Sequence, residues 1–301
     1  MTDSFAQAER RLFERYGVAF EPRSLRLADP DLEIGVRECG EGSPVLFVHG
    51  SAMSGATWAP LLAALPDRRA IAIDLPGFGR SDPYSYTGRS LRAHAQAQLV
   101  STLDALGLGR VPVVGTSLGA MWAFCLALHA PERVTALVGL GMPAVALPGM
   151  RSDPFFRLMT TPGVGRVVAR MPAPPNVGMT RRTALGVMGR RALRQTPDEF
   201  FEVMRCGMAA PGWGEAMWTH LNLALRAGRQ RPENVLTDAE LGEIACPVRL
   251  IWGDEDPYGG PEIGRRAAGL MRDAELVVVE GGHAPFLDDP VRCAEVIRSV
   301  T

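Results

Sequence analysis

Lysine is missing from this chain of 301 residues: all 32 basic side chains are arginine. Three chemistries are excluded with it, a Schiff-base lysine, the phosphate-cradling lysine of a P-loop and a serine-lysine dyad. Cysteine is scarce. Cys39, Cys125, Cys206, Cys246 and Cys293 are dispersed, odd in number and without a C-x-x-C pair, which fits neither a disulfide framework nor a zinc site and points to a reducing compartment. No apolar run has the length of a membrane span, and residues 2–16 are charged and helix-like, unlike the apolar core of a signal peptide. A cytoplasmic protein without membrane insertion is therefore expected. The net charge of -1 offers no reason to expect a clustered basic surface for phosphates, and so no nucleic-acid partner.

What is present is an ordinary globular balance with a clear alternation. Short apolar runs at residues 45–48, 70–73, 111–114, 134–140, 248–252 and 276–279 read as buried strands. Helical patterns at 58–65, 91–106, 120–129, 261–271 and 290–300 separate or follow them. Such alternation implies an α/β fold, a mainly parallel sheet with helices on both faces. Residues 25–27 and 32–37 flank Asp29-Pro30-Asp31 and predict an antiparallel hairpin at the start of the sheet.

The alternation stops after Gly141 and resumes near Asp238. A structureless loop of that length is improbable in a compact domain. The expectation is a core of residues 1–142 and 237–301 with an inserted helical cap at 143–236. Eight of the 13 methionines fall in this insert, with Phe155, Phe156, Phe200, Phe201, Trp213 and Trp218, a composition suited either to cap packing or to an adaptable apolar pocket. It also holds 13 arginines against six acids, while the rest of the chain has 19 against 27. That asymmetry reads as a solvated helix surface or as a means of steering an anionic substrate.

Gly115-Thr116-Ser117-Leu118-Gly119 stands between the strand at 111–114 and a helix, the context in which G-x-S-x-G forms a sharp turn that exposes the serine. The helix behind it aims free N-H groups and its positive end at developing negative charge, and Leu118 N-H is one candidate oxyanion donor. A serine needs a base. Of the five histidines, His283 lies in Gly281-Gly282-His283-Ala284-Pro285-Phe286 directly after the last strand, where α/β sites assemble. His49 precedes the serine, against the serine-acid-histidine order, and reads as a turn residue; His94 and His129 fall in helices and His220 in the insert, and none receives a catalytic role. For the acid, Trp252-Gly253-Asp254-Glu255-Asp256-Pro257 offers three carboxylates. Pro257 favours an extended Asp256 directed at the neighbouring loop, with Asp254 the alternative. Trp122, soon after the serine, belongs either to the core or beside the substrate.

Together these segments resemble the α/β-hydrolase superfamily over nearly the whole core. His49-Gly50-Ser51 is similar to its oxyanion turn, Asp74-Leu75-Pro76-Gly77-Phe78-Gly79-Arg80-Ser81 to the following strand-end signature, and the Ser117, Asp256 and His283 motifs follow in family order. The resemblance implies Ser51 N-H as the second oxyanion donor, a structural role for Asp74 and its glycines, and no metal or organic cofactor. It implies a capped serine esterase acting through an acyl-enzyme on an apolar small molecule, a carboxylesterase or lactonase. A carbon-carbon bond hydrolase and a perhydrolase-type enzyme are the alternatives on the same fold. From other classes stand a non-catalytic ligand-binding receptor and a non-hydrolytic lyase or cofactor-free oxygenation that leaves Ser117 unacylated. By the same resemblance, a serine at this position disfavours haloalkane dehalogenase and epoxide hydrolase chemistry, which use an aspartate there.

Overall fold

Apolar runs too short for helices build the sheet of this computed structural model, which describes residues 3–301. Its strands begin with the hairpin β1 (Glu21–Leu27) and β2 (Leu32–Cys39), followed by β3 (Pro44–Val48), β4 (Arg69–Ile73), β5 (Val111–Thr116) and β6 (Val134–Leu140). After a small separate hairpin, β7 (Leu225–Arg226) and β8 (Arg229–Gln230), the strands β9 (Val248–Gly253) and β10 (Ala274–Val279) complete it. The spatial order is β1-β2-β4-β3-β5-β6-β9-β10. Only β1 with β2 and β2 with β4 pair antiparallel; every other pairing in this sheet is parallel.

The helices cover both faces. The N-terminal α1 (Asp3–Arg15) and the short α2 (Ala59–Leu62) share one hydrophobic cluster with α13 (Pro285–Asp288) and α14 (Pro290–Arg298). Across the sheet, α3 (Leu91–Ala105), α4 (Leu118–His129), α11 (Asp238–Glu243) and α12 (Pro261–Ala268) contribute to the other. Thr2, where the helix expected at 2–16 begins, lies outside the described residues. Most boundaries shift by one to three residues from the sequence reading, and two elements change more. The first strand starts at Glu21 because an edge strand pairs through its backbone and can carry the exposed polar residues that precede Leu25. The helix expected at 58–65 is a 3-10 turn, Gly55–Trp58, followed by one turn of α-helix.

Between β6 and α11 the chain forms a helical insert of α5 (Pro154–Thr160), α6 (Val164–Val168), α7 (Val177–Met188), α8 (Arg190–Gln195), α9 (Asp198–Met208) and α10 (Trp213–Ala224). It is stitched into both clusters. Met159, Met217 and Leu221 join one, while Met188, Leu193, Phe200 and Met204 join the other. Met188 and Met204 of one set and Met217 of the other line a shared cavity.

Candidate active site

Strand order creates the site before any side chain is considered. From β3 the chain crosses to β4 on one side, and β5 then pairs with β3 on the other, with Val48 beside Gly115. The loops after β3 and β5 therefore part in opposite directions and open a crevice at the carboxyl ends of the strands, the usual ligand position in such sheets. Gly50 lies in one loop and Ser117 in the other, so close that a Cβ added to Gly50 would lie 3.1 Å from Ser117 Cβ.

Ser117 has φ 51° and ψ -121° at the N-cap of α4. A non-glycine residue held there is strained, and the surrounding structure must over-determine it. The neighbouring glycines show how. A Cβ on Gly119 would come within 2.3 Å of Val48 O, and one on Gly115 within 2.6 Å of Ala120 backbone atoms. Glycine at both positions lets α4 approach β5 and the end of β3 closely enough to force the turn.

His283 and Asp256 arrive from the loops after β10 and β9. Asp256 Oδ2 lies 2.8 Å from His283 Nδ1 and also accepts Met142 N-H at 2.9 Å, while Oδ1 accepts Tyr258 N-H at 2.9 Å. Both side chains are buried. An ionised carboxylate only accepts, so His283 donates from Nδ1, which in the neutral ring leaves Nε2 as the acceptor. That Nε2 has no hydrogen-bond partner among the described residues, and His283 lines the same cavity as Ser117. Asp254 does not reach the ring; its carboxylate accepts Gly281 N-H and braces the histidine loop. Tyr258 stands edge-on to the His283 ring at 4.5 Å, with Phe156 stacked on its far side.

The remaining sequence candidates separate cleanly. Ser51 lines the cavity with Ser117, and Leu118 is the first residue of α4, where backbone N-H groups have no intrahelical acceptor. His49 Nδ1 lies 2.7 Å from Gly50 O while Nε2 accepts Leu75 N-H at 2.9 Å, which assigns its tautomer; burial lowers its pKa to about 4, so it is neutral. It is a turn residue. Asp74, equally buried, accepts Gly55 N-H and Arg80 N-H and pairs with Arg37. Trp122 does not line the cavity: it is fully buried and packs edge-on against Tyr86, His94 and His220. The helical spacing placed it one turn past Ser117, where α4 already faces the core.

The cavity holds about 350 Å³ and is mostly apolar, its polar side chains being Ser51, Thr116, Ser117, Asp153, Thr183 and His283. Met53 forms part of its floor, and the insert supplies Phe155, Phe156, Val187, Met188, Met204, Met208, Trp213 and Met217. Phe200, Phe201 and Trp218 do not line it. Its ionisable side chains are His283 and Asp153, and no arginine of the insert lines it. Ser117, Ser51 and His283 also border a second, narrow cavity of about 20 Å³ walled by Val145, Met150, Leu221 and Leu225. No sequence pattern distinguishes these wall residues from ordinary core.

A model of the alpha/beta hydrolase family matches residues 45–296. A 2-hydroxy-6-oxononadienedioate/2-hydroxy-6-oxononatrienedioate hydrolase of Dechloromonas aromatica is 28% identical over 266 residues, covering 84% of each protein. A 2-hydroxy-6-oxo-2,4-heptadienoate hydrolase of Pseudomonas putida is 30% identical over 256 residues, covering 82% of this chain and 84% of that protein. Among solved structures, a carboxylesterase from Bacillus subtilis superposes with a TM-score of 0.76 at 21% identity, over 98% of this chain and 96% of that one, a likeness of fold.

Proposed function

The chain belongs to the alpha/beta hydrolase family, and from that premise we propose that it cleaves carboxylic esters of apolar small molecules, open-chain or cyclic, through an acyl-enzyme on Ser117. The observation that carries the reading is Ser117 on its strained turn, sharing a cation-free apolar cavity with a His283 whose Nε2 is open.

In this mechanism His283 Nε2 takes the hydroxyl proton as Ser117 Oγ bonds to the ester carbonyl carbon. Asp256 holds the ring in the required tautomer and stabilises the imidazolium. The N-H groups of Ser51 and Leu118 receive the oxyanion, each worth about 3 kcal/mol in the transition state. Collapse breaks the bond to the alkoxy group, which leaves as an alcohol with the proton from His283. Water then repeats the sequence and frees the acid. No step calls for a metal or cofactor. The narrow cavity admits a group of about methyl size and the wide one a bulky apolar group, so the favoured ester has one short arm.

A second reading, hydrolysis of a carbon-carbon bond, draws on the two relatives, whose names specify substrates that are carboxylates. Burying a carboxylate requires a cationic or hydrogen-bonding partner. This cavity has no arginine and carries Asp153, which favours neutral esters. A panel of p-nitrophenyl esters, lactones and vinylogous diketones decides between them. Wild-type turnover of esters with one short arm, lost at least about 10⁴-fold in Ser117→Ala, supports the proposal. A folded wild type inert to esters and unlabelled by a fluorophosphonate sinks it. Turnover that survives in Ser117→Ala points instead to a reaction that leaves the serine unacylated.

A further inference from the structure

Residues 154–197 contain eight arginines and not one aspartate or glutamate. The same stretch carries seven of the nine large apolar side chains that are exposed among the described residues, including Val167 at 67% and Met171 at 68%. These features share a place. Phe155 on α5 is half exposed and lines the wide cavity, and Leu185 on α7 is half exposed between Ala184 and Gly186, which also line it. Phe155 and Leu185 thus stand at the cavity, and α6, which carries the exposed Val164 and Val167, packs on α5 and α10, two helices that line it.

The arginines of this stretch are largely without acidic partners. Among the described residues Arg181 pairs with Asp198 and Arg191 with Glu280, whereas Arg157, Arg170, Arg182, Arg190 and Arg194 have no carboxylate partner. Arg166 lies over the Trp218 ring. Unpaired cations interspersed with exposed apolar side chains are the composition of a surface that sinks into a headgroup region, its arginine stems in contact with acyl chains and their heads on lipid phosphates.

We propose that this face of the insert docks on an anionic phospholipid bilayer, so that the active-site mouth opens toward the lipid. Charge complementarity selects an anionic partner, and the exposed Val167 and Met171 select one with an apolar phase, which an acidic protein surface or a nucleic acid does not offer. The acidic remainder of the chain, with 27 acids against 19 arginines, is repelled by the same surface and turns the insert toward it. The proposal deepens the ester reading, on which it rests for the substrate's route: an apolar ester dissolved in the bilayer reaches the cavity without crossing water.

Co-sedimentation with vesicles of phosphatidylcholine, alone or with equimolar phosphatidylglycerol, tests the docking. Binding to the mixed vesicles that falls with salt is expected, with little to phosphatidylcholine alone. Arg170→Glu/Arg182→Glu should weaken it at least about tenfold, and Val167→Ser/Met171→Ser should weaken it as well. Circular dichroism and unchanged turnover of a soluble short ester verify that both variants are folded. Absence of wild-type binding, or full binding by both variants, overturns the docking. So does equally tight binding to heparin that ignores Val167→Ser/Met171→Ser, which would assign the face to an acidic macromolecule. Vesicle binding without ester turnover would remove the ester reading and leave the docking, and ester turnover without vesicle binding the reverse.

Discussion

Asp288 sits in α13, just beyond the His283 loop, and its Oδ2 accepts Gly282 N-H at 3.0 Å while Oδ1 has no partner among the described residues. Burial raises its pKa to about 6, with the Gly282 hydrogen bond opposing the shift. Because the folded pKa exceeds the unfolded one, this carboxyl favours the folded state when protonated, and that contribution is lost as pH rises from about 4 through 6. Asp288→Asn keeps an acceptor for Gly282 without the charge. It should flatten stability over that window and raise it on the order of 1 kcal/mol at pH 7, solvent screening included; urea midpoints at several pH values measure this, and an unchanged slope would show that the side chain does not titrate as described. Asp288 could not be picked out beforehand. Ser117 and His283 stand in local patterns with a chemical reason, whereas Asp288 matters because a helix turn brings its carboxylate against the backbone of Gly281 and Gly282.

At the scale of elements, α1 has the largest role that its sequence conceals. Its pattern announces a helix with Phe5, Ala8 and Leu12 on one face, yet not that this face packs against α9, which lines the cavity with Met204 and Met208. Beside that face, buried Glu9 pairs with Arg37 of β2 and with Arg80, and Arg37 continues to Asp74. These two cations and two carboxylates tie helix, sheet edge and the 74–81 loop together. Removing one charge leaves the others buried and unbalanced, at a cost of about 3 kcal/mol or more. Glu9→Gln is expected to lower the denaturant midpoint accordingly and, as α9 loosens, to raise KM for bulky apolar esters more than it lowers kcat. Wild-type stability in that variant would mean that α1 is held by its apolar face alone. Propensity and periodicity place such elements along the chain; their partners follow from packing between segments distant in sequence.

For the molecule as a whole, acid sensitivity gathers where insert meets core. His220 of α10 stacks on Tyr86 at 4.5 Å, near Phe78 and Trp122, with neither ring nitrogen partnered among the described residues. Tyr84, Tyr86 and Trp122 also surround His94. Burial lowers the pKa of His94 and His49 to about 4 and holds that of His220 well below its ordinary value, the latter with help from the other two histidines. Folded values below the unfolded 6.5 mean that stability is fully present above about pH 6.5 and is lost as pH falls toward 4, opposite in sign to Asp288 and outweighing it three groups to one. Thermal melts should therefore drop over that range, and His220→Phe, which keeps the aromatic contacts, should make the drop shallower; melts that coincide with wild type would remove His220 from the account. By itself the sequence determined the order of strands and helices, the helical stretch between β6 and α11 and the loops that carry Ser117, Asp256 and His283, because strand alternation, the glycine-flanked turn and the order of motifs are written in neighbouring residues. Only the tertiary structure decided that Asp256 rather than Asp254 meets His283, that Trp122 belongs to the core, and that the arginines of the insert stay outside an apolar cavity. Each of those depends on which way a side chain points once distant segments pack, and packing is a property of the assembled chain.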